Sequence, residues 1–326
     1  MISRVAEHCF WFGRYLERTE STARVVQVTR ALALDSDLPP RACWAPVVIV
    51  AGEHERFAET HDEAAAHDGE IVQKFMIWDE KNGSSLVRSA GAARENARAI
   101  RDILSREVWE TVNWLHVWLP EGGKERFQRD KESFYRKIRE ATQLCLGQLR
   151  STMLHDAALD FVWLGVLLER VGQTARMCDV HHHALAIEGP SDNVLETSVW
   201  LTLLRACSGL EPFMRRNQAR VTGEAIAAFL LLEGRFPRSV RYCVRSATER
   251  LAEIRPPAED LPGEKAWRRL RQLDEWLAQL VPAAVARTTH DVLTHVVEET
   301  AAVCDDLTTE LFAPAPAAAA AAPPEA

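Results

Sequence analysis

The residues best suited to chemistry form a repeated set of carboxylates and guanidiniums. Glu17 and Arg24, and again Glu169 and Arg176, lie seven positions apart. At about 100° per residue each pair shares one helix face, about 10.5 Å apart along the axis. Arg18 and Arg170 directly follow the two glutamates. Gly13 and Gly165 sit on the same face one turn earlier, where the missing side chain leaves room for another helix or for a ligand. Around Glu169 the face is flanked by Val162, Val166 and Met177 on one side and Leu164, Leu168 and Ala175 on the other. A helix apolar nearly all round is buried, and buried charges are tolerated only when paired and hydrogen-bonded. Three readings stay open: an architectural lock, a site for a ligand or partner, and catalysis. In the last, Glu17 or Glu169 is a general base with a pKa raised by burial, and the arginines clamp a substrate carboxylate. Glu20 and Arg24, four apart, also fit an ordinary surface pair worth about 0.2–0.5 kcal/mol.

A second Glu/Arg cluster lies in Ala93-Arg94-Glu95-Asn96-Ala97-Arg98, with Glu95 and Arg98 on adjacent turns and Arg101 extending the basic side. Only Glu249 and Arg250 partly answer it later in the chain. His181-His182-His183, near Cys178 and Asp179, invites a metal reading, but three consecutive helical histidines point about 100° apart and cannot converge on one ion. No H-E-x-x-H, G-x-S-x-G or Gly-rich phosphate loop occurs, and Gly122-Gly123-Lys124 is too short to be one. No metal and no cofactor is expected. Trp109, Trp114 and Trp118 share a helix face and read as core.

An internal repeat organises the elements that carry these residues. Aligning Trp11–Val28 with Trp163–Val180 at one fixed offset leaves nine of eighteen positions identical: Trp, Gly, Leu, Glu, Arg, Thr, Ala, Arg and Val. Farther on, Trp44 and Phe57 answer to Trp200 and Phe213, Phe75–Asp79 to Phe229–Glu233, and Ser85-Leu86 to Ser239-Val240. The fold class expected is all-α, built as two tandem copies of a helical-bundle unit, residues 1–150 and 151–312. An Ala/Pro-rich tail, 313–326, is expected to be disordered. Helical patterning covers 4–34, 84–118, 125–149, 157–187, 193–215, 238–255 and 264–311, and Asn193 with Glu196 fits a capping box. Val47–Val50 alone looks strand-like, but its counterpart Leu201–Leu204 is an ordinary helical run, so both are read as helical.

Composition bounds the function. The chain has 326 residues, 47% hydrophobic and 26% charged, enough for a substantial core. A net charge of −8 argues against nucleic acid as a partner. Seven scattered cysteines without a C-x-x-C suit reduced thiols. The N-terminus is polar within eight residues, and the longest apolar runs, such as Ala225–Leu232, are too short to span a bilayer. The expectation is a cytoplasmic protein with no membrane association.

The run Trp11-Phe12-Gly13-Arg14-Tyr15-Leu16-Glu17-Arg18-Thr19-Glu20 resembles the bacterial alpha-E domain family, as do Ala93–Arg98, Leu168-Glu169-Arg170 through Arg176, and Phe236-Pro237-Arg238-Ser239-Val240. The resemblance covers residues 1–312. It implies an all-helical protein whose biochemical activity is not established, encoded beside or fused to circularly permuted ATP-grasp and transglutaminase-like proteins. By that company it implies an accessory role in ATP-grasp-linked peptide synthesis or attachment, with an ATP-grasp ligase, a transglutaminase-like protein or a peptide as partner. The alternatives are an enzyme of amide or peptide chemistry and a pure scaffold. The second copy departs from the pattern, with Val166 and Gly172 where the first has Arg14 and Glu20. The full charged set therefore belongs to the first copy, where Glu17, Arg18 and Arg24 are the candidates, with Glu169, Arg170 and Arg176 as their equivalents.

Overall fold

Capping side chains set many of the element boundaries. A computed structural model of the chain describes residues 3–35, 38–188, 193–216, 221–255, 261–282, 285 and 288–313, of which 180–188 and 193–195 by backbone only. Every regular element among them is helical: α1 (Ser3–Asp35), α2 (Pro40–Val50), α3 (His54–Ala58), a 3-10 turn (Glu63–His67), α4 (Gly69–Trp78), α5 (Leu86–Ala99), α6 (Arg106–Trp118), α7 (Gly122–Arg129) and α8 (Lys131–Thr152). There follow α9 (Ala157–Glu188), α10 (Asn193–Ala206), α11 (Leu210–Arg216), α12 (Gly223–Leu232), α13 (Val240–Ile254), α14 (Glu264–Gln279) and α15 (Thr289–Leu307), closed by a π turn (Thr308–Phe312). Val47–Val50 lies within α2, helical as read.

Four stretches expected to be continuous are interrupted. Residues 84–118 break before Ser105, whose hydroxyl accepts from the Val108 N–H at 3.3 Å and starts α6. Residues 125–149 break at Asp130, which caps α8 through the Ser133 N–H at 3.0 Å. Residues 193–215 break at Cys207–Gly209, where Ser208 takes a left-handed φ of 54°. Residues 264–311 break at Leu280 and Val281, just before Pro282. The Asn193 side chain of the expected capping box lies outside the described residues, and Glu196 accepts from Trp200 Nε1 at 3.3 Å. Of the Ala/Pro tail only Ala313 is described.

The two longest helices, α1 and α9, pack against each other at the centre. Helix α1 also packs on α5 and α8, which α6 bridges; α9 packs on α13 and α15, which α14 bridges. Two four-helix groups therefore share one core through α1 and α9. Phe10, Phe12 and Leu16 are almost wholly buried there, each contributing about 1.5–3 kcal/mol. Phe312 in the closing turn packs on Phe10 of α1 and Phe161 of α9, with ring centroids 5.3 and 5.9 Å apart. Trp114 departs from the core reading. It is 39% exposed and stacks on Trp118 at 5.3 Å, with the Lys137 ammonium 5.2 Å from its ring. No described helix is long and apolar enough to cross a membrane.

Candidate functional site

The space over each repeated glutamate is filled by helix backbone. A Cβ on Gly13 would overlap the Val162 carbonyl of α9, and one on Gly165 would overlap the Phe10 carbonyl of α1. This reciprocal approach lets charged side chains reach across from one helix to the other. Arg18 grips Glu169 with both nitrogens, Nε donating to Oε1 at 2.7 Å and Nη2 to Oε2 at 2.9 Å. Arg14 Nε donates to the same Oε2 at 2.7 Å, and its Nη1 lies 2.9 Å from Cys304 Sγ. In the opposite sense, Arg170 Nη2 lies 2.8 Å from Glu17 Oε2. Each Glu-Arg dipeptide is thus completed by the other.

Glu17 takes a second cation, Arg238, whose Nη1 donates at 2.7 Å while Nη2 lies 2.9 Å from Glu20. Glu20 also accepts from Arg24 and, at 3.1 Å, from Gln143 Nε2. Glu17 and Glu20 are 0% exposed, Glu169 is 1% exposed, and Arg24 is 4% exposed. Glu20 and Arg24 are therefore a buried pair and not the surface pair their spacing allows. Burial alone would raise the Glu169 pKa, but Arg14 and Arg18 outweigh it and hold the carboxyl well below its ordinary range. Glu20 is likewise held down to about 2, with Arg238 and Arg24 overcoming burial. The expectation of a base with a raised pKa is corrected for Glu169, because two guanidiniums stabilise its charged form.

Glu17 and Glu169 pair with arginines of other elements, whereas Arg24 pairs within α1. Glu17 is held by Arg170 and Arg238, and Arg24 by Glu20. Arg176 does not repeat the Arg24 pairing. Gly172 stands where α1 has Glu20, and a Cβ there would lie 3.4 Å from an Arg176 nitrogen. The Arg176 Nε is buried without a hydrogen-bond partner among the described residues. Glu95 and Arg98 are elsewhere in character. They are 48% and 64% exposed and pair with each other at 2.6 Å, and Glu95 also takes Arg94, with no ion pair to the α1–α9 network among the described residues. The His181–His183 side chains lie outside the described residues.

Arg14 and Arg238 hold the network together, yet neither is among the eight candidates, although Arg14 stands in the charged set of the first copy and Arg238 in the Phe236–Val240 segment. Arg14 has no charged counterpart in the repeat. Arg238 carries no local sign beyond preceding Ser239, which caps α13 through the Tyr242 N–H at 3.2 Å. Six of the seven cysteines are buried and all are free. Burial pushes Cys9 up to about 12 and Cys43 up to about 11, so neither is a ready thiolate.

Beside Arg24 the network opens on a cleft of about 500 Å³ between α1 and α8 on one side and α10 and α11 on the other. Arg24, Gln27 and Arg139 line the first side; Thr202, Arg205 and Ser208 line the second. Arg139 Nη1 donates to Gln27 Oε1 at 2.8 Å, and the Gln27 amide donates to Glu132. Of the eight candidates chosen from sequence, Arg24 alone lines this cleft. Glu17, Arg18, Glu169, Arg170, Arg176, Glu95 and Arg98 do not.

Comparison with known proteins gives a family without an assigned chemistry. An uncharacterised protein of Mycobacterium tuberculosis and one of Mycobacterium bovis are each 24% identical to this chain over 308 residues, covering 85% of it and 32% of their own length. The chain thus spans about a third of the length of the curated relatives it matches. No solved structure matches it. Residues 1–312 match the Alpha-E family model, described as a predicted alpha-helical domain with a conserved ER motif, and Glu17-Arg18 and Glu169-Arg170 are dipeptides of that type. The chain belongs to the Alpha-E family.

Proposed function

We propose that this chain is a non-catalytic accessory protein that binds a partner through the cleft beside Arg24, with the Glu/Arg network as the lock that builds the cleft. The observation that carries this reading is a division of labour among the arginines. Glu17 and Glu169 are buried and held by two guanidiniums each, whereas Arg139 and Arg205 line an open cleft made by helices from both halves of the chain. A carboxylate held in two ion pairs and sealed from solvent is poorly placed to take a substrate proton.

The halves are read as residues 1–150 and 151–312, two copies of one unit related by duplication. Reciprocal contacts support this: Gly13 against α9 and Gly165 against α1, and Gly69 beneath Trp44 as Gly223 lies beneath Trp200, where an added Cβ would come within 2.5 Å of the ring in each case. Thr22 donates to the Ser84 carbonyl and Thr174 to the Arg238 carbonyl in the same manner, at 3.3 and 3.0 Å. The partner is an ATP-grasp ligase, or a transglutaminase-like protein, of a cytoplasmic system that makes or attaches peptides. This identity rests on the company kept by the family and is association, not mechanism.

The test is purification of the tagged full chain from its native cells, with mass spectrometry of what accompanies it. Recovery of an ATP-grasp or transglutaminase-like protein, lost with Arg205→Glu at the exposed cleft rim, is expected. A partner-free chain that by itself turns over an amide or peptide substrate would overturn the accessory reading and favour the enzyme.

A further inference from the structure

The cleft beside Arg24 carries a distinctive set of charges. Around the buried network, among the described residues, Arg14, Arg18, Arg24, Arg170, Arg176 and Arg238 stand against Glu17, Glu20 and Glu169, with Glu53 as a fourth carboxylate near Arg18. The positive excess continues into the cleft through Arg139. The Nε–H groups of Arg24 and Arg139 are both shielded from solvent and make no hydrogen bond to any described residue. Arg56, Arg170, Arg176 and Arg241 carry shielded Nε–H groups of the same kind elsewhere, so what sets the cleft apart is that two such donors sit on neighbouring guanidiniums, whose fork geometry suits a carboxylate. Burial, and then the neighbouring Arg24 charge, pull Arg139 below its ordinary range. An anion between the two would relieve both effects.

Backbone conformation adds a second observation. Ser208 is the one non-glycine residue with positive φ among the described residues, at 54°, and it lines this cleft. It ends α10 in a left-handed conformation that glycine adopts without penalty. A serine there accepts conformational strain at a residue that lines the cleft.

The opposite charge is also present. Asp35 at the end of α1, Glu132 in the first turn of α8 and Glu211 in α11 line the cleft and are exposed. Three carboxylates repel a polyanion such as a nucleotide, yet they suit a ligand with its own cation. A volume of about 500 Å³ falls within the range of small-ligand pockets, about 300–1,000 Å³.

We propose that the cleft binds a small zwitterion, a free amino acid or a short peptide with ionised ends, whose carboxylate lies against Arg24, Arg139 and the Ser208 hydroxyl and whose ammonium faces the Asp35, Glu132 and Glu211 rim. This rests on the reading of the cleft as the binding site and names its ligand chemistry. The full chain is screened by thermal shift against the twenty amino acids and the twenty Ala-X dipeptides, each as free acid and as C-terminal amide, with inorganic phosphate alongside. Hits are then titrated by calorimetry. A free acid should bind saturably, its amide at least about tenfold more weakly, and Arg139→Met should weaken the acid by a similar factor. Ser208→Gly, which relaxes the backbone and cannot fail through strain, should weaken it severalfold. No saturable free acid, equal binding of acid and amide, phosphate binding as tightly as the best acid, or unchanged affinity in Arg139→Met would each overturn the proposal. Recovery of an ATP-grasp or transglutaminase-like partner alongside such a failure would remove the zwitterion and leave the accessory reading standing.

Discussion

Replacing Glu169 by Gln removes the carboxylate that holds Arg14 at 2.7 Å and Arg18 at 2.7 and 2.9 Å, at a position 1% exposed. The side chain keeps its size, so packing is preserved and the loss is electrostatic. Arg14 and Arg18 are only 15% and 18% exposed at the side chain and have few routes to water. Breaking one partner of a buried pair costs about 3–5 kcal/mol, a large share of the roughly 5–15 kcal/mol that holds ordinary proteins folded. Urea unfolding at pH 7, followed by tryptophan fluorescence, reads this directly. With a slope near ~3 kcal/mol/M the midpoint should fall by at least about 1 M, with the slope itself unchanged. Glu95→Gln, in the exposed cluster, is the control and should stay within about 0.5 kcal/mol of the parent protein. Adding Arg18→Met to Glu169→Gln should cost less than the two separate losses combined, since the charge left unpaired is removed. A Glu169→Gln loss under about 1 kcal/mol would refute the lock, and would mean that apolar packing alone holds α1 to α9.

The same ion pairs set an acid limit. The folded pKa of both Glu20 and Glu169 lies below the unfolded value, so their stabilisation is fully present above about pH 5 and is lost as pH falls through the folded pKa. For Glu20, a drop from 4.5 to about 2 corresponds to about 3 kcal/mol, and urea midpoints should fall steadily below pH 4.5; a midpoint that rises on acidification would contradict the assignment. Gly13→Ala should destabilise by about 3 kcal/mol or more, because its methyl meets the α9 backbone, which cannot turn aside, whereas Gly147→Ala in α8 meets nothing within 4 Å and should stabilise by up to about 1 kcal/mol. Equal effects in thermal unfolding would show that the glycines mark no close approach. Ser208→Gly should leave thermal stability unchanged or raise it by about 1 kcal/mol, and a clear loss would mean that the serine side chain is structural.

Much of the local structure was legible in the chain itself. Helical periodicity and scarce glycine identify an all-α protein, and the offset repeat singles out the two helices that become α1 and α9, with their glycines and Glu-Arg dipeptides aligned. A seven-residue spacing states which residues share a face, so Glu17 and Arg24 looked like partners. Which charge meets which is decided by what lies across that face. Arg18 is completed by Glu169 and Arg170 by Glu17, because two glycines let the backbones meet and bring the side chains within reach. Arg238 enters from a loop 221 residues away from Glu17, and no local pattern encodes that distance. The helix breaks at Ser105, Asp130 and Ser208 were partly visible as capping or turn residues, but periodic apolar patterning runs through them. Burial likewise has a local and a non-local part. The sequence by itself determined that the helix around Glu169 would be apolar nearly all round and that charges on it would need partners. The tertiary structure alone decided that the partners are internal for Glu17, Glu20 and Glu169, while Arg139 and Arg205 face an open cleft, because a cleft is the gap left between four helices that meet only when the chain has folded.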